Sequence, residues 1–237
     1  MTGSYMLEAS GLTRRYGGFT ALNNVDIKVR SGEIRGLIGS NGAGKSTCMD
    51  VLTGRGRKPQ GKVLLDGVDI SALTARERRG AGLARSFQKT NIFDDLTIFD
   101  QVKLAAQRAE YDNTEEILSE LSLETLAHQF ASDVSYGDQR RVDLALALVG
   151  RPKVLLLDEP AAGLTIEESL SMARHLKSLA ERYALTVLLV EHDMEVIFAI
   201  CDSLTVLHLG EVLTEGEPEI VRSDPEVVRA YLGSTFS

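Results

Sequence analysis

The stretch GSNGAGKST, residues 39–47, limits the possible folds more than any other part of the chain. It follows the apolar run Ile34–Ile38 and leads into Lys45–Leu52, which reads as a helix. Gly39, Gly44, Lys45 and Ser46 meet the pattern G-x-x-x-x-G-K-[ST] in the strand–loop–helix context its mechanism needs. Glycines let the main chain turn tightly and point successive N–H groups at phosphate oxygens, and a helix N-terminus adds partial positive charge. The whole loop, Gly39, Ser40, Asn41, Gly42, Ala43, Gly44, Lys45, Ser46 and Thr47, is therefore expected to cradle a nucleotide's phosphates. Lys45 is expected to reach the β- and γ-phosphates, and the Ser46 hydroxyl to ligate Mg²⁺. A dinucleotide fold is disfavoured: Gly39, Gly42 and Gly44 are spaced wrongly for its fingerprint, and that fold has no use for Lys45.

A second acidic segment supports this reading. VLLLDEP, residues 154–160, sets Asp158 at the end of a buried strand, where open parallel sheets bind their ligands. Asp158 is expected to hold Mg²⁺, and Glu159 to face the γ-phosphate and polarise an attacking water. The alternative, two carboxylates in a solvated turn, fits poorly after so apolar a run. VLLVEHD repeats the theme, with the strand ending at Glu191 and His192 just beyond. An imidazole there is placed to bond the γ-phosphate or orient the water; a helix-capping histidine is the plainer reading. No G-x-S-x-G elbow exists, so a serine triad has no support.

The remaining pattern divides the chain without sharp edges. Residues 5 to 87 read as short strands with one helix; MLEASGLTRRY and ALNNVDIKV alternate partly, as a half-exposed antiparallel sheet does. GLARSF, 82–87, is placed to rejoin the main sheet. From 90 to 150 the periodicity is helical, over Ile98–Arg108, Thr114–Leu123 and Asp138–Val149. KVLLL and TVLLVE, separated by a helix from Glu167 to Tyr183, form a βαβ unit of parallel strands covered on both faces. SLTVLHL and EVLTEG read as a terminal strand pair, followed by short helices at 217–223 and 225–232.

Composition narrows the function classes. Hydrophobic residues make up 43% and charged residues 25% of the 237, the balance of a folded globular chain. A formal net charge of −8 weighs against nucleic acid as a partner, and the basic cluster Arg55, Arg57, Lys58 reads as a solvated turn. No apolar run approaches the roughly 18 residues a membrane span needs, and the opening MTGSYMLEASGLTRRYGG offers no secretory signal. Cys48 and Cys201 define neither a bridge framework nor a metal spacing and are expected in the core.

With these residues in place, the chain resembles the ATP-binding subunits of ABC transporters over nearly its full length. Beyond 39–47 and 154–160, VSYGDQ at 134–139 resembles the family's LSGGQ signature: Ser135 and Gly137 match, Tyr136 replaces a glycine and Asp138 stands where glutamine is common. Gln88 resembles the Q-loop glutamine that touches Mg²⁺ or water, Tyr16 the aromatic residue that stacks on adenine, AAGLT at 161–165 the D-loop, and His192 the switch histidine. Thr165 departs from the D-loop's usual Asp or Asn, and Leu146 from a frequent arginine.

The resemblance implies a single ABC-type α/β domain: a mixed-sheet core with an antiparallel β part from 1–89 and 150–237, and a helical subdomain, 90–149, carrying the signature loop. It implies ATP and Mg²⁺ as ligands. It further implies a second ATPase subunit, identical or related, separate integral membrane permease subunits, and indirectly a periplasmic or extracellular solute-binding protein. The position implied is cytoplasmic and peripheral, on the inner face of the membrane. Its catalytic set would be Glu159, His192 and Gln88, with Ser46, Asp158 and Gln88 toward the metal. RSFQKTNIFDDLTIFDQVKLA, the SYG variant and VVRAYLG resemble branched-chain amino acid importers. KSTCMDVLTG, GLTIEES and TVLHLGEVLTEG lean toward urea and amide importers, and similar endings occur in lipopolysaccharide exporters. A soluble ABC ATPase of repair or translation, or a non-hydrolysing nucleotide-binding module, stands as the alternative class.

Overall fold

The computed structural model describes residues 4–56, 60–86 and 92–230. Two sheets organise it. The larger has six strands in the order β10-β9-β3-β8-β7-β6: β3 Ile34–Ile38, β6 Leu83–Arg85, β7 Val154–Asp158, β8 Thr186–Val190, β9 Ser203–His208 and β10 Glu211–Gly216. All neighbours pair in parallel except β9 and β10, which form the expected antiparallel terminal pair. Every residue of β3, β7 and β8 is buried, which is why these strands read as unbroken apolar runs. Arg35 is the polar exception in β3, and it is fully paired. It meets Glu33 at 3.0 Å, the Thr205 hydroxyl at 3.0 Å and Glu215 at 3.1 Å.

The smaller sheet is antiparallel, in the order β2-β1-β4-β5: β1 Tyr5–Tyr16, β2 Phe19–Arg30, β4 Gln60–Leu65 and β5 Val68–Asp69. Its inward residues, among them Leu7, Leu12, Val25, Ile27 and Val63, pack with Met49 and Leu52 of α1, Lys45–Leu52. The α1 helix is thus sandwiched between the two sheets' apolar faces.

The helical block contains α3 Ile98–Arg108, α4 Thr114–Glu120 and α5 Tyr136–Leu148, packed through Val102, Ala106, Ile117, Leu118 and Val142. The α5 helix starts two residues before the expected Asp138, because Ser135 caps it by accepting from the Asp138 N–H at 3.2 Å. Between β7 and β8 runs α6, Ile166–Tyr183, and α7 Met194–Ile200 follows β8. The chain closes with α8 Pro218–Ser223 and α9 Pro225–Ala230, anchored by buried Val221 and Val227.

One expectation is corrected. Among the described residues of 5 to 87 there are two helices, not one: α2, Ala75–Gly80, carries the sequence ARERRG. It has no apolar stripe to betray it. Instead a capping box starts it, with Thr74 and Glu77 bonding each other's main-chain N–H groups, and its buried face is supplied by an arginine, Arg78.

Candidate functional site

Three strand ends lie level with one another. Val190 at the end of β8 pairs with Leu37 of β3 on one side and with Asp158 of β7 on the other. The segments that leave these strands, 39–47, 159–165 and 191–193, therefore open onto the same edge of the sheet. Topology alone unites residues more than a hundred positions apart.

The 39–47 loop is pinned from outside. A Cβ on Gly39 would come within 2.2 Å of the Leu207 carbonyl, and one on Gly44, at φ 110, within 2.7 Å of the Ala21 carbonyl. Only glycine fits so close to β9 and β2. The Gly210 N–H donates to Ala43 O at 3.0 Å, and the Asn23 N–H donates to Gly210 O at 2.8 Å, lacing loop, β2 and the β9–β10 turn together. Lys45 arches back over its own loop, with Nζ donating to Gly39 O at 2.6 Å and Ser40 O at 3.1 Å. Burial lowers its pKa, opposed by the neighbouring Glu159 and Asp158 carboxylates. Asn41, Gly42 and Ser46 are exposed, Ser40 and Thr47 half-buried, and Ala43 buried.

Asp158 is buried, and its Oδ2 accepts from Arg85 Nη2 at 2.7 Å. The other arm of Arg85, Nη1, reaches Asp50 of α1 at 2.6 Å, so a single arginine on β6 fixes the carboxylate against the phosphate-loop helix. Glu159 takes a left-handed φ of 51°, and its N–H donates to Val190 O at 2.8 Å, turning the chain just beyond the strand. Glu191 is almost fully buried. It accepts from Ala161 N–H at 2.9 Å and His192 N–H at 3.2 Å, and burial raises its pKa. His192 is exposed, with Nδ1 3.7 Å from Glu191 Oε2.

Not every expected residue joins this group. Ser135 and Gly137 stand at the start of α5, and among the described residues no hydrogen bond links them to 39–47. Tyr16, at the end of β1, is 52% exposed, with the Arg14 guanidinium carbon 6.0 Å from its ring centre. Gln88 lies outside the described residues. Thr165 caps α6 through a capping box with Glu168, a local duty that accounts for a hydroxyl there. Arg85 was not singled out by sequence, and the buried Glu191 was noted only as the end of its strand. An arginine two residues after an apolar strand start, and a glutamate ending a second apolar strand, were the available signals.

The donor set suits magnesium. The Ser46 hydroxyl and the Asp158 carboxylate are hard oxygen donors, and Mg²⁺ with a nucleotide needs only one or two protein ligands of this kind. Among the described residues no group of three or more His, Cys, Asp or Glu is arranged to hold a metal unaided.

Comparison with known proteins adds independent support. A family model described as "ABC transporter" matches residues 22–162, and one described as "Branched-chain amino acid ATP-binding cassette transporter" matches residues 211–237. The chain is 34% identical to the high-affinity branched-chain amino acid transport ATP-binding protein BraF of Pseudomonas aeruginosa, over 96% of this chain and 98% of that one. It is also 34% identical to the lipopolysaccharide export system ATP-binding protein LptB of Acidithiobacillus ferridurans, over 98% and 99% of the two chains. Among solved structures, the ADP conformation of an ATP-binding cassette of an ABC transporter superposes with a TM-score of 0.87 at 28% identity, over 97% of this chain and 99% of that one.

Proposed function

The chain belongs to the ATP-binding subunits of ABC transporters, and from that premise we propose that its ATP hydrolysis drives import of branched-chain amino acids through separate membrane subunits. The observation that carries the site assignment is the level alignment of β3, β8 and β7, which sets Lys45, His192, Asp158 and Glu159 around one edge. The loop N–H groups of 39–47 and the Lys45 ammonium hold the phosphates, and Tyr16 stacks on the base. Ser46 and Asp158 are the residues that would hold Mg²⁺, which neutralises phosphate charge when bound with the nucleotide. Arg85 keeps one Asp158 oxygen fixed while the carboxylate serves this role. Glu159 polarises the attacking water and His192 orients it or bonds the γ-phosphate. Gln88 is assigned to the water or metal on resemblance alone.

Ser135 and Gly137 stand apart from the chain's own loop, which supports their serving the nucleotide of a second ATPase subunit in a head-to-tail pair. Residues 90–149 act as the helical subdomain of that pair. Among the described residues no helix is long and apolar enough to cross a membrane, which fits the reading of separate permease subunits. A cleft of about 710 Å³ between α2, α3 and the end of α5, lined by Arg76, Arg79, Arg108 and Leu146, supports docking of that permease at the inner membrane face. The C-terminal match at 211–237 supports branched-chain amino acids as the cargo, beside a lipopolysaccharide-export relative of equal identity. The test is to purify the complex from its membrane, place it in liposomes, and add its solute-binding subunit with leucine or with urea. Leucine uptake driven by internal ATP is expected. Urea uptake, or outward lipid movement with no leucine response, would overturn the cargo assignment.

A further inference from the structure

Tyr136 has no part in the site as assigned so far. It is the first residue of α5 and 46% exposed, yet its hydroxyl is committed: Oη donates to the main-chain carbonyl of Ala162 at 3.1 Å. Arg140, one helical turn on, donates from Nη2 to the same oxygen at 3.2 Å. Its guanidinium carbon also lies 5.2 Å from the centre of the Tyr136 ring. The two donors use both lone pairs of one carbonyl.

The receiving segment is shaped around that ring. Gly163 has φ 85, and a Cβ there would meet Tyr136 ring and hydroxyl atoms at 3.0–3.4 Å. The same segment is tied on its other side to the strand-end site. Ala162 N–H donates to Glu159 O at 3.1 Å, and Ala161 N–H donates to the buried Glu191 carboxylate at 2.9 Å. One peptide unit on each side of Ala162 therefore links the start of α5 to the main chain of Glu159.

The geometry points to Tyr136 as a positioning residue, which binds the 135–137 loop to 161–163 so that movement of that loop is passed to Glu159. Its hydroxyl fixes the Ala162 carbonyl, and its ring closes over Gly163. Because Ser135 and Gly137 are assigned to the partner's nucleotide and Glu159 to the chain's own, the link joins one site's occupancy to the other's catalytic carboxylate; it rests on that reading.

Two variants test it. Tyr136→Phe removes the hydroxyl and keeps the ring over Gly163; Tyr136→Gly removes both. Amide hydrogen exchange of 159–165 is measured on the nucleotide-free full chain, and kcat and KM for ATP on the reconstituted complex. Tyr136→Phe is expected to speed exchange in 159–165 and lower kcat, each about fivefold, the weight of one neutral hydrogen bond. Tyr136→Gly should do more, while KM stays at the wild-type value in both. Unchanged exchange in both variants overturns the tie. Faster exchange at wild-type kcat, or a raised KM at wild-type kcat, overturns the positioning role. A wild-type complex that hydrolyses no ATP overturns the functional reading and the catalytic half of this proposal, whereas the exchange measurement still decides the tie itself.

Discussion

Replacing Arg78 with methionine should destabilise the phosphate-loop helix from its far end. Arg78 is 2% exposed on α2, and among the described residues its guanidinium donates to main-chain carbonyls alone: Val51 at 2.9 Å, Leu52 at 2.6 Å, Ser71 at 3.0 Å and Leu73 at 3.2 Å. The first two belong to the last turn of α1, where main-chain partners run short, although the Val51 carbonyl also accepts from the Gly54 N–H at 3.1 Å. A positive charge there also meets the negative end of the helix dipole. Burial lowers the arginine's pKa, so part of the gain is offset by desolvation. Methionine keeps the apolar stem and removes all four donors. At about 1 kcal/mol net for each bond, the loss is about 4 kcal/mol. For a chain of this size that corresponds to a Tm lower by roughly 8–16 °C. Thermal unfolding followed by circular dichroism reads it directly. A shift under about 3 °C would refute the reasoning, since four carbonyls would then have found water or other donors at no cost.

Further outcomes follow from the site. Burial holds Lys45 below its ordinary 10.5, and bound phosphate favours its charged form, so ATP binding just below that pH should take up protons. Calorimetry in buffers of different ionisation enthalpy should then give different apparent enthalpies; identical ones would count against the placement. Burial raises Glu191 above 4.5, so the folded chain holds that proton more tightly than the unfolded chain. The contribution is full below 4.5 and is lost as pH rises through the raised value, so the Tm of Glu191→Gln should gain on wild type above 4.5. Parallel melting curves would contradict it. Thr165→Ala removes the α6 cap and should cost about 1 kcal/mol in denaturant unfolding, and no loss would show that the capping box is not maintained in solution.

Much of this architecture was legible because it is written in patterns of the main chain. Gly39 and Gly44 answer to contacts with Leu207 and Ala21 that only glycine permits, and β7 and β8 are apolar at nearly every position because helices and sheet cover both faces. The α3 helix runs over Ile98–Arg108 as its spacing predicts, since one apolar stripe faces one core. What stayed hidden is polar burial. Arg78 makes α2 look like a charged surface loop, although that arginine is the helix's inward face. The bridge from Arg85 to Asp158 and Asp50 joins three separate elements, and local spacing carries no trace of it. Tyr136 reads as a departure from a glycine pattern until Gly163 is seen across from it.

The most direct test of the central claim is single-turnover ATP hydrolysis by the Glu159→Gln chain in its assembled complex. Loss of hydrolysis by roughly 100-fold or more, with ATP still bound as tightly as by wild type, is the result expected of a carboxylate that polarises water at the β7 end. Hydrolysis at the wild-type rate would place the reacting water elsewhere and contradict the account.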